Sequence, residues 1–435
     1  MTTYHPPAGA RDLLPLDVAQ KHWIENRLEQ VFQRWGYHRI ITSTLERMDT
    51  LMAGGAIDQA AVIELQPVAG KRLGLRPELT ASIARTAVTR LARVTYPQRL
   101  YYNANVFRQA TQTSHGGQQE FYQAGVELLG AGATVADAEI VLLLLDCLRS
   151  LRLDSWCLIL GDAQLTQALL APFAVDQRQA VRQALAALDR VALETMDLPA
   201  ALHQHALKLL DLRGHPEDVL QALGQLPLDG DTQAAVERLK SLVALVREVT
   251  QGANTGPDNS SSGNSSSGNG QRPAQGSPQS IPALTLDLSL IQPFDYYTGL
   301  VFEVVTGPDQ GCQVLGQGGR YDHLLEVFQG QGQGFPGIGF VLDIDALHQA
   351  LLTTSHLPQD TPPSDWLVVP TAPQAVAAAF TYAQTLRASA SLVRAEVHLA
   401  THEAPAATRE LARQRRISRI AWIGPDGLPD IEALN

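Results

Sequence analysis

Five short segments, widely spaced along the chain, combine charged, polar and aromatic side chains in a distinctive order. They are Leu75–Ala81 (LRPELTA), Phe107–Arg108 (FR), Glu120–Glu127 (EFYQAGVE), Phe294–Gly299 (FDYYTG) and Gly318–Asp322 (GGRYD). A single GGRYD sequence would be a weak signal for any fold or function. The ordered set is far more specific, and it constrains this chain more than its composition does.

The side chains in these segments suit the binding of a free amino acid. Its ammonium group needs acceptors, which Glu78, Thr80 and Gln123 can supply. If the amino acid is histidine, its ring offers one donor and one acceptor, which Glu127 and a tyrosine hydroxyl can satisfy. The candidate tyrosines are Tyr297 and Tyr321. The alternative interpretation is that all six are hydrogen-bonded polar groups in the core of a sheet.

Together the segments resemble motif 2 of the class II aminoacyl-tRNA synthetases and the two signature motifs of histidyl-tRNA synthetase. Residues 7–15 (PAGARDLLP) are similar to the N-terminus of that family as well, and the resemblance extends over residues 5–160 and 284–350. It implies an α+β fold in which helices flank a class II synthetase-like antiparallel sheet. A helical insertion and a small C-terminal α/β domain, which resembles an anticodon-binding domain, complete the expected architecture.

Two of the three arginines with which these synthetases bind ATP are missing. Gln292 stands where the family's LVRGLDYY motif has arginine, and Ala346 stands at the motif 3 arginine, with Asp343 adding a negative charge. The motif 2 loop at 109–119 also lacks the family's ATP-binding pattern. Guanidinium groups bind phosphate through paired, charge-assisted hydrogen bonds that glutamine cannot reproduce. Losing one such contact typically costs about 10²–10³ in rate, so we expect no aminoacylation.

A histidine pocket without the ATP-binding arginines resembles the family of ATP phosphoribosyltransferase regulatory subunits. That resemblance implies a non-catalytic chain that supports a short-form catalytic subunit in histidine biosynthesis and mediates feedback inhibition by histidine. We predict no catalytic residue, no cofactor, no metal site, and a homodimer within a hetero-oligomer. Arg108 is expected to pair with the carboxylate of the effector. The predicted histidine-binding residues are Glu78, Thr80, Arg108, Gln123, Glu127, Tyr297 and Tyr321.

Two other functions stay open from the sequence: a working histidyl-tRNA synthetase with unusual motifs, and a tRNA-binding sensor of uncharged tRNA. Binding to tRNA needs a surplus of Lys and Arg, which the formal net charge of -11 disfavours. A C-terminal arginine cluster could contact tRNA, but it is also typical of a solvated helix face. Its members are Arg409, Arg413, Arg415, Arg416 and Arg419.

Hydrophobic periodicity predicts where helices and strands lie. Helices are expected at 16–36, 78–93, 134–153, 343–352 and across most of 161–250, with strands at 37–44, 99–107, 120–129, 284–291 and 300–306. Strands and helices alternate between 366 and 423, which predicts a βαβ-type unit. Residues 251–280 are nearly all Gly, Ser, Asn, Pro and Gln and are expected to form a disordered linker. The predicted domains are a split core at 1–160 and 281–352, an insertion at 161–250 and a reduced domain at 364–435.

The cysteines give no sign of a disulfide framework. Cys147, Cys157 and Cys312 are odd in number and lack the spacing of a zinc site. The chain begins without a basic-then-apolar leader, and no apolar run reaches about 18 residues. We therefore expect no membrane association and a cytoplasmic location.

Overall fold

This computed structural model describes residues 5–55, 57–67, 70–109, 117–226, 228–252, 283–290, 296–329, 334–390, 392–400 and 404–434. The chain divides into two compact units, Met1–Leu357 and Pro358–Asn435. The helices are α1 Pro15–Arg34, α2 Met48–Met52, α3 Thr80–Thr89, α4 Thr134–Leu151, α5 Ala163–Leu170, α6 Val175–Ala186, α7 Arg190–Thr195, α8 Ala200–Asp211, α9 Pro216–Leu223, α10 Gly230–Gly252, α11 Leu324–Gln329, α12 Ile344–Leu352, α13 Val376–Ser389 and α14 Pro405–Gln414. The strands are β1 His38–Arg39, β2 Leu45–Arg47, β3 Leu73–Leu75, β4 Gln98–Phe107, β5 Glu120–Leu129, β6 Trp156–Asp162, β7 Arg213–Gly214, β8 Ala283–Asp287, β9 Leu300–Thr306, β10 Val314–Arg320, β11 Gly337–Asp343, β12 Trp366–Pro370, β13 Ala395–Val397, β14 Arg419–Ile423 and β15 Pro429–Ala433.

The first unit is built around a nine-stranded sheet with the order β1-β4-β5-β11-β10-β9-β6-β8-β7. The strands from β4 to β6 in this order all pair antiparallel, whereas β1 and β8 run parallel to β4 and β6. Helices α1, α4 and α12 pack on one face, and α3 and α11 pack on the other. The predicted α+β fold, an antiparallel sheet flanked by helices, is confirmed.

The hairpin of β4 and β5 directs polar side chains to one face of this sheet. Successive side chains of a strand point to opposite faces, so Gln123 and Glu127 share the α3 face while the apolar residues between them enter the main core. Gly125 lies between the two on the same face. A Cβ there would lie 2.5 Å from the Tyr102 hydroxyl and 2.4 Å from Phe340 O. The glycine therefore leaves the room into which these side chains project.

The glycine-rich stretch at 311–339 contains β10 and the first residues of β11, two strands that hydrophobic periodicity does not predict. Glycine is depleted in strands because it has no side chain to pack. In β10 and β11, however, neighbouring side chains approach the backbone so closely that a residue without a side chain is required. Gly339 pairs with Glu127, and a Cβ at Gly339 would lie 2.0 Å from Glu127 Oε2. A Cβ at Gly319 would lie 2.7 Å from the Tyr297 ring.

Most of the other predicted elements are confirmed with ends shifted by a few residues. The strand predicted at 37–44 is wrong in extent, because only His38–Arg39 and then Leu45–Arg47 are extended and paired. The additional strand β6 interrupts the region between the helices predicted at 134–153 and 161–250. The sequence of β6 is a short apolar run, and periodicity alone cannot distinguish a buried strand from a buried helix in a run of this length.

In its described residues, the region predicted to be helical at 161–250 contains α5 to α10, the last two residues of β6 and the two-residue strand β7. Buried residues of these helices, such as Leu165, Val181 and Leu239, belong to the same apolar core as α4. Residues 253–282, which hold nearly all of the predicted linker, lie outside the described residues. The linker and the four-part division into domains stay predictions.

The second unit is a four-stranded sheet with the order β13-β12-β14-β15, in which the first three strands run parallel and β15 is antiparallel. This confirms the βαβ-type unit and adds one strand. Its arginine cluster is largely neutralised within the unit. The pairs are Arg409–Glu432, Arg413–Glu410, Arg415–Glu396 and Arg416–Asp360, while Arg419 lies over the Trp366 ring. These contacts favour the solvated helix face over a tRNA surface.

Candidate functional site

One cleft on the α3 side of the main sheet brings together all seven of the predicted binding residues. The cleft is narrow in this conformation, with room for water-sized molecules of about 30 Å³, so the side chains that line it lie close together. The predicted residues that line it are Glu78, Thr80, Arg108, Gln123, Glu127, Tyr297 and Tyr321. Segments far apart in the sequence therefore converge as expected, although contact of each residue with a ligand stays a prediction.

Glu127 is an almost fully buried carboxyl group of this cleft, with 2% of the residue exposed. The Thr80 hydroxyl donates to its Oε1 at 2.7 Å, and the Tyr321 hydroxyl donates to its Oε2. Burial raises the pKa of Glu127 to about 8, although the two hydroxyl donors act in the opposite direction. At neutral pH the group is therefore mostly protonated. It can share its proton with an imidazole nitrogen.

Glu78 has a structural task as well as a place in the cleft. The backbone N–H groups of Thr80 and Ala81, at the start of α3, donate to its two carboxylate oxygens, Ala81 at 3.0 Å. Burial raises the pKa of Glu78, while these backbone donors and Arg108 act in the opposite direction. A carboxylate has about four lone-pair sites. Glu78 thus keeps acceptors for a ligand ammonium group while it caps the helix.

Arg108 supplies positive charge to the cleft. Its Nε donates to Pro77 O at 3.0 Å, which fixes the direction of the guanidinium group, and its Cζ lies 5.7 Å from the centre of the Phe121 ring. Burial lowers the pKa of Arg108, whereas Asp343 and Glu78 act in the opposite direction. Arginine stays charged in proteins. Because two carboxyl groups already lie near it, this cation suits a single carboxylate better than a polyphosphate.

Tyr102 and Tyr296 also line the cleft, and the sequence analysis did not select them. The Tyr296 ring centre lies 4.8 Å from that of Tyr297 and 5.7 Å from that of Tyr321. Tyr102 lies opposite Gly125 in the β4–β5 pairing. The sequence signal for Tyr296 was its place beside Tyr297, whereas Tyr102 is identified only by its pairing with Gly125 in the structure. Gln317 of β10 lines the cleft without any such signal.

Two of the four departures from the synthetase pattern, Asp343 and Ala346, can be placed. Asp343 is partly buried and caps α12, because its Oδ1 accepts from the backbone N–H of Ala346 at 2.9 Å. Burial raises the pKa of Asp343, with the capping bond acting in the opposite direction. Ala346 is buried in the first turn of α12 and presents only a methyl group. Gln292 and residues 110–116 of the motif 2 loop lie outside the described residues.

The lining of the cleft matches the chemistry of a zwitterion with a ring that both donates and accepts hydrogen bonds. Carboxyl groups and a guanidinium group match the two charges of an amino acid, and the Glu127 group matches an imidazole. Across the described part of the chain, no three His, Cys, Asp or Glu side chains gather closely enough to hold a metal ion. The helices described here are also too short or too polar to span a bilayer.

Comparisons of the sequence identify two related groups of proteins. The family model of histidyl-tRNA synthetase matches residues 9–262 and 274–347. The ATP phosphoribosyltransferase regulatory subunit of Nostoc sp. (strain PCC 7120) is 54% identical over 432 residues, which cover 99% of this chain and 99% of that protein. The protein of the same name from Cyanothece sp. (strain PCC 7425) is 52% identical over 432 residues, again 99% of both.

Solved structures share the fold. An ATP phosphoribosyltransferase regulatory subunit/histidyl-tRNA synthetase from Bacillus halodurans C has a TM-score of 0.76 at 24% identity, covering 98% of this chain and 99% of that one. A histidyl-tRNA synthetase from Nostoc sp. PCC 7120 has a TM-score of 0.74 at 18% identity, covering 100% of this chain and 97% of that one. Nostoc sp. PCC 7120, the source of the 54% identical relative named above, thus has a separate protein named as the synthetase.

Proposed function

The chain belongs to the family of ATP phosphoribosyltransferase regulatory subunits, and we propose that it is the non-catalytic partner of a short-form catalytic subunit in the first step of histidine biosynthesis. Identity of 54% over nearly the whole of both chains supports this function. We further propose that histidine is its effector, and that a homodimer of this chain assembles with the catalytic subunit in the cytoplasm.

The observation that carries the proposal is a polar amino-acid cleft beside a degraded ATP site. Glu78, Thr80, Gln123 and Glu127 line one cleft with Arg108. At the two positions of motif 3 that differ, the chain presents an acidic cap and a methyl group. An active synthetase would need cations there to stabilise the charge that develops on a reacting triphosphate. A protein that only senses histidine needs the amino-acid cleft and does not need cations that bind ATP.

Histidine can be placed in the cleft from the chemistry of its lining. Its ammonium group would lie at Glu78, with Thr80 and Gln123 as further acceptors, and its carboxylate would pair with Arg108. The ring would share a proton with Glu127. The hydroxyl groups of Tyr297 and Tyr321 would complete the ring contacts and their rings would wall the site. This arrangement leaves no unpaired charge on either partner, which is the condition for burying a zwitterion.

Inhibition through this site requires a difference in affinity between two states of the assembly. A ligand shifts an equilibrium only as far as it binds one state better than the other. A coupling of 1–3 kcal/mol, typical of allosteric proteins, gives roughly a 5- to 150-fold change in affinity. By reciprocity, a substrate that favours the active state would weaken histidine binding by the same factor.

Reconstitution tests the function directly. The purified chain, mixed with a short-form catalytic subunit from the same genome, is expected to give phosphoribosyl-ATP formation that neither protein gives alone. Histidine is then expected to inhibit the mixture. Rates are measured spectrophotometrically with ATP and phosphoribosyl pyrophosphate, and co-elution on a sizing column reports assembly. A catalytic subunit that neither binds this chain nor changes its rate in the mixture would contradict the regulatory function.

The rival function, a working synthetase, predicts histidine-dependent exchange of pyrophosphate into ATP. We expect a rate at least about 10⁴-fold below that of a synthetase, since two cationic contacts to the triphosphate are lost. Ala346→Arg alone is expected not to restore exchange, because Asp343 would lie in the preceding turn and pair with the new guanidinium group. Exchange at a normal rate by the unmodified chain would overturn the non-catalytic role.

A further inference from the structure

Arg320, at the end of β10, is 6% exposed, and its side chain bonds to groups outside the cleft. Its Nε and Nη2 donate to Asp137 Oδ1 at 2.9 and 2.6 Å. Its Nη1 donates to Asp322 Oδ1 at 3.0 Å and to Ala131 O at 3.2 Å. Asp137 lies in the first turn of α4 and is itself buried. The guanidinium group of Arg320 thus joins the end of β10 to α4 and to Ala131, which lies just before α4.

The backbone around Arg320 holds both tyrosines that are predicted to contact histidine. Arg320 O accepts from the backbone N–H of Thr298 at 2.8 Å. The Thr298 hydroxyl in turn accepts from the backbone N–H of Asp322 at 3.0 Å. Thr298 follows Tyr297 and Asp322 follows Tyr321 in the chain. Each tyrosine is therefore adjacent to a residue that the Arg320 network fixes, although the guanidinium group itself contacts neither ring.

We propose that Arg320 is a positioning residue: its ion pair with Asp137 holds the Tyr321 hydroxyl against Glu127 and thereby sets the affinity of the cleft for histidine. Removal of the groups that orient metal ligands typically costs about 10- to 100-fold in metal affinity or activity, and we expect an effect at the lower end of this range for an organic ligand. The long tyrosine side chain converts a small rotation of its backbone into a larger displacement of its hydroxyl. The inference rests on the proposed function in one respect, namely that histidine occupies the cleft.

Asp137→Asn tests this inference in the full-length chain by calorimetric titration with histidine. We expect about tenfold weaker binding. In a Tyr321→Phe background the same substitution is expected to add little, because the group through which it acts is already missing. Arg320→Lys is the second variant. It keeps a positive charge beside Asp137 and so avoids an unpaired buried carboxylate, but it loses the forked geometry, and we expect it also to weaken binding several-fold.

The pH dependence of binding separates positioning from a general structural role. The Tyr321 hydroxyl lowers the pKa of Glu127, so its displacement should move the pH above which histidine binding weakens to a higher value. Tyr321→Phe should produce the same shift. The other groups that face Glu127 are unchanged in these variants: Glu78, Thr80, Tyr102, Tyr296 and Tyr297.

Glu139→Gln is the matched control, since Glu139 lies two residues further along α4 and accepts from both Arg99 and Tyr37. We expect it to lower the melting temperature and leave histidine affinity unchanged. If the unmodified chain binds histidine and the Asp137 and Arg320 variants bind equally well with the same pH dependence, the inference is wrong while the proposed function stands. If the unmodified chain binds no histidine, the proposed site fails and this inference fails with it.

Discussion

Glu127→Gln is expected to weaken the binding of histidine to this chain by about a hundredfold. A hydrogen bond to a charged group contributes roughly 1.5–3 kcal/mol, and Glu127 is the carboxyl group placed to share a proton with the ligand ring. The amide cannot take part in proton sharing, and it has one acceptor oxygen where the carboxylate has two. In the unmodified chain the Thr80 hydroxyl donates to Oε1 and the Tyr321 hydroxyl donates to Oε2. In the glutamine variant one of these two hydroxyl groups would face an NH₂ group instead.

Titration calorimetry measures this change, and the chain offers a close control. Glu139 accepts a hydrogen bond from Tyr37 at 2.8 Å, much as Glu127 accepts one from Tyr321, but it lies outside the cleft. Glu139→Gln should therefore leave the affinity as it is. Thermal melts of both variants would show whether the fold survives. Equal affinity in Glu127→Gln and the unmodified chain would remove the cleft from the mechanism without touching the family membership.

The same variant separates activation from inhibition in the reconstituted assembly. We expect the cleft to serve inhibition, and we expect none of its residues to contact the catalytic subunit. We therefore expect the Glu127→Gln assembly to keep its rate without histidine and to need about a hundredfold more histidine for half inhibition, the factor that the loss in binding implies. A variant that loses its basal rate while it still melts cooperatively would show that the cleft also supports activation.

The sequence was sufficient to predict which residues share one cleft, because residue type and order carry that information. Glu78, Gln123 and Tyr321 belong to three of the five ordered segments, which are far apart in the chain and differ in sequence. All three residues line one cleft. Period-two alternation along β5 gives the physical reason for part of this convergence, since it places Gln123 and Glu127 on one face. The long helices α1 and α4 were predicted for a similar reason, because an amphipathic face repeats along each of them.

The parts that the sequence did not reveal are those in which tertiary contacts override local preference. Strands β10 and β11 are rich in glycine, and tertiary contacts, such as the approach of Glu127 to Gly339 and of Tyr297 to Gly319, explain why glycine is required there. The prediction for Asp343 was that it adds a negative charge, and the structure shows that it also caps α12. Tyr102 enters the cleft because Gly125 lies opposite it, a relation that requires the pairing register.

The affinity for histidine should be highest between roughly pH 6.5 and 8 and should fall tenfold per pH unit on either side. Burial raises the pKa of Glu127 to about 8, and a free histidine ring titrates near 6.5. In the proposed complex the carboxyl group and the ring share one proton. Between the two pKa values the free partners together also hold one proton, on Glu127, so binding neither takes up nor releases a proton and the affinity is flat.

Outside the range between the two pKa values, binding takes up or releases a proton. This proton change determines whether the affinity falls with rising or with falling pH. Above the pKa of Glu127 the free partners hold no proton, so binding must take one up and the affinity falls as the pH rises. Below the ring pKa they hold two, so one must leave and the affinity falls as the pH falls.

Calorimetry in buffers of different ionisation enthalpy counts these protons directly. Glu127→Gln should abolish the proton uptake at Glu127 above pH 8, leaving only the titration of the ligand's own ammonium group. Proton uptake of the same size in the variant and the unmodified chain would assign the alkaline limb to the ligand and would leave Glu127 without a role in sharing the proton.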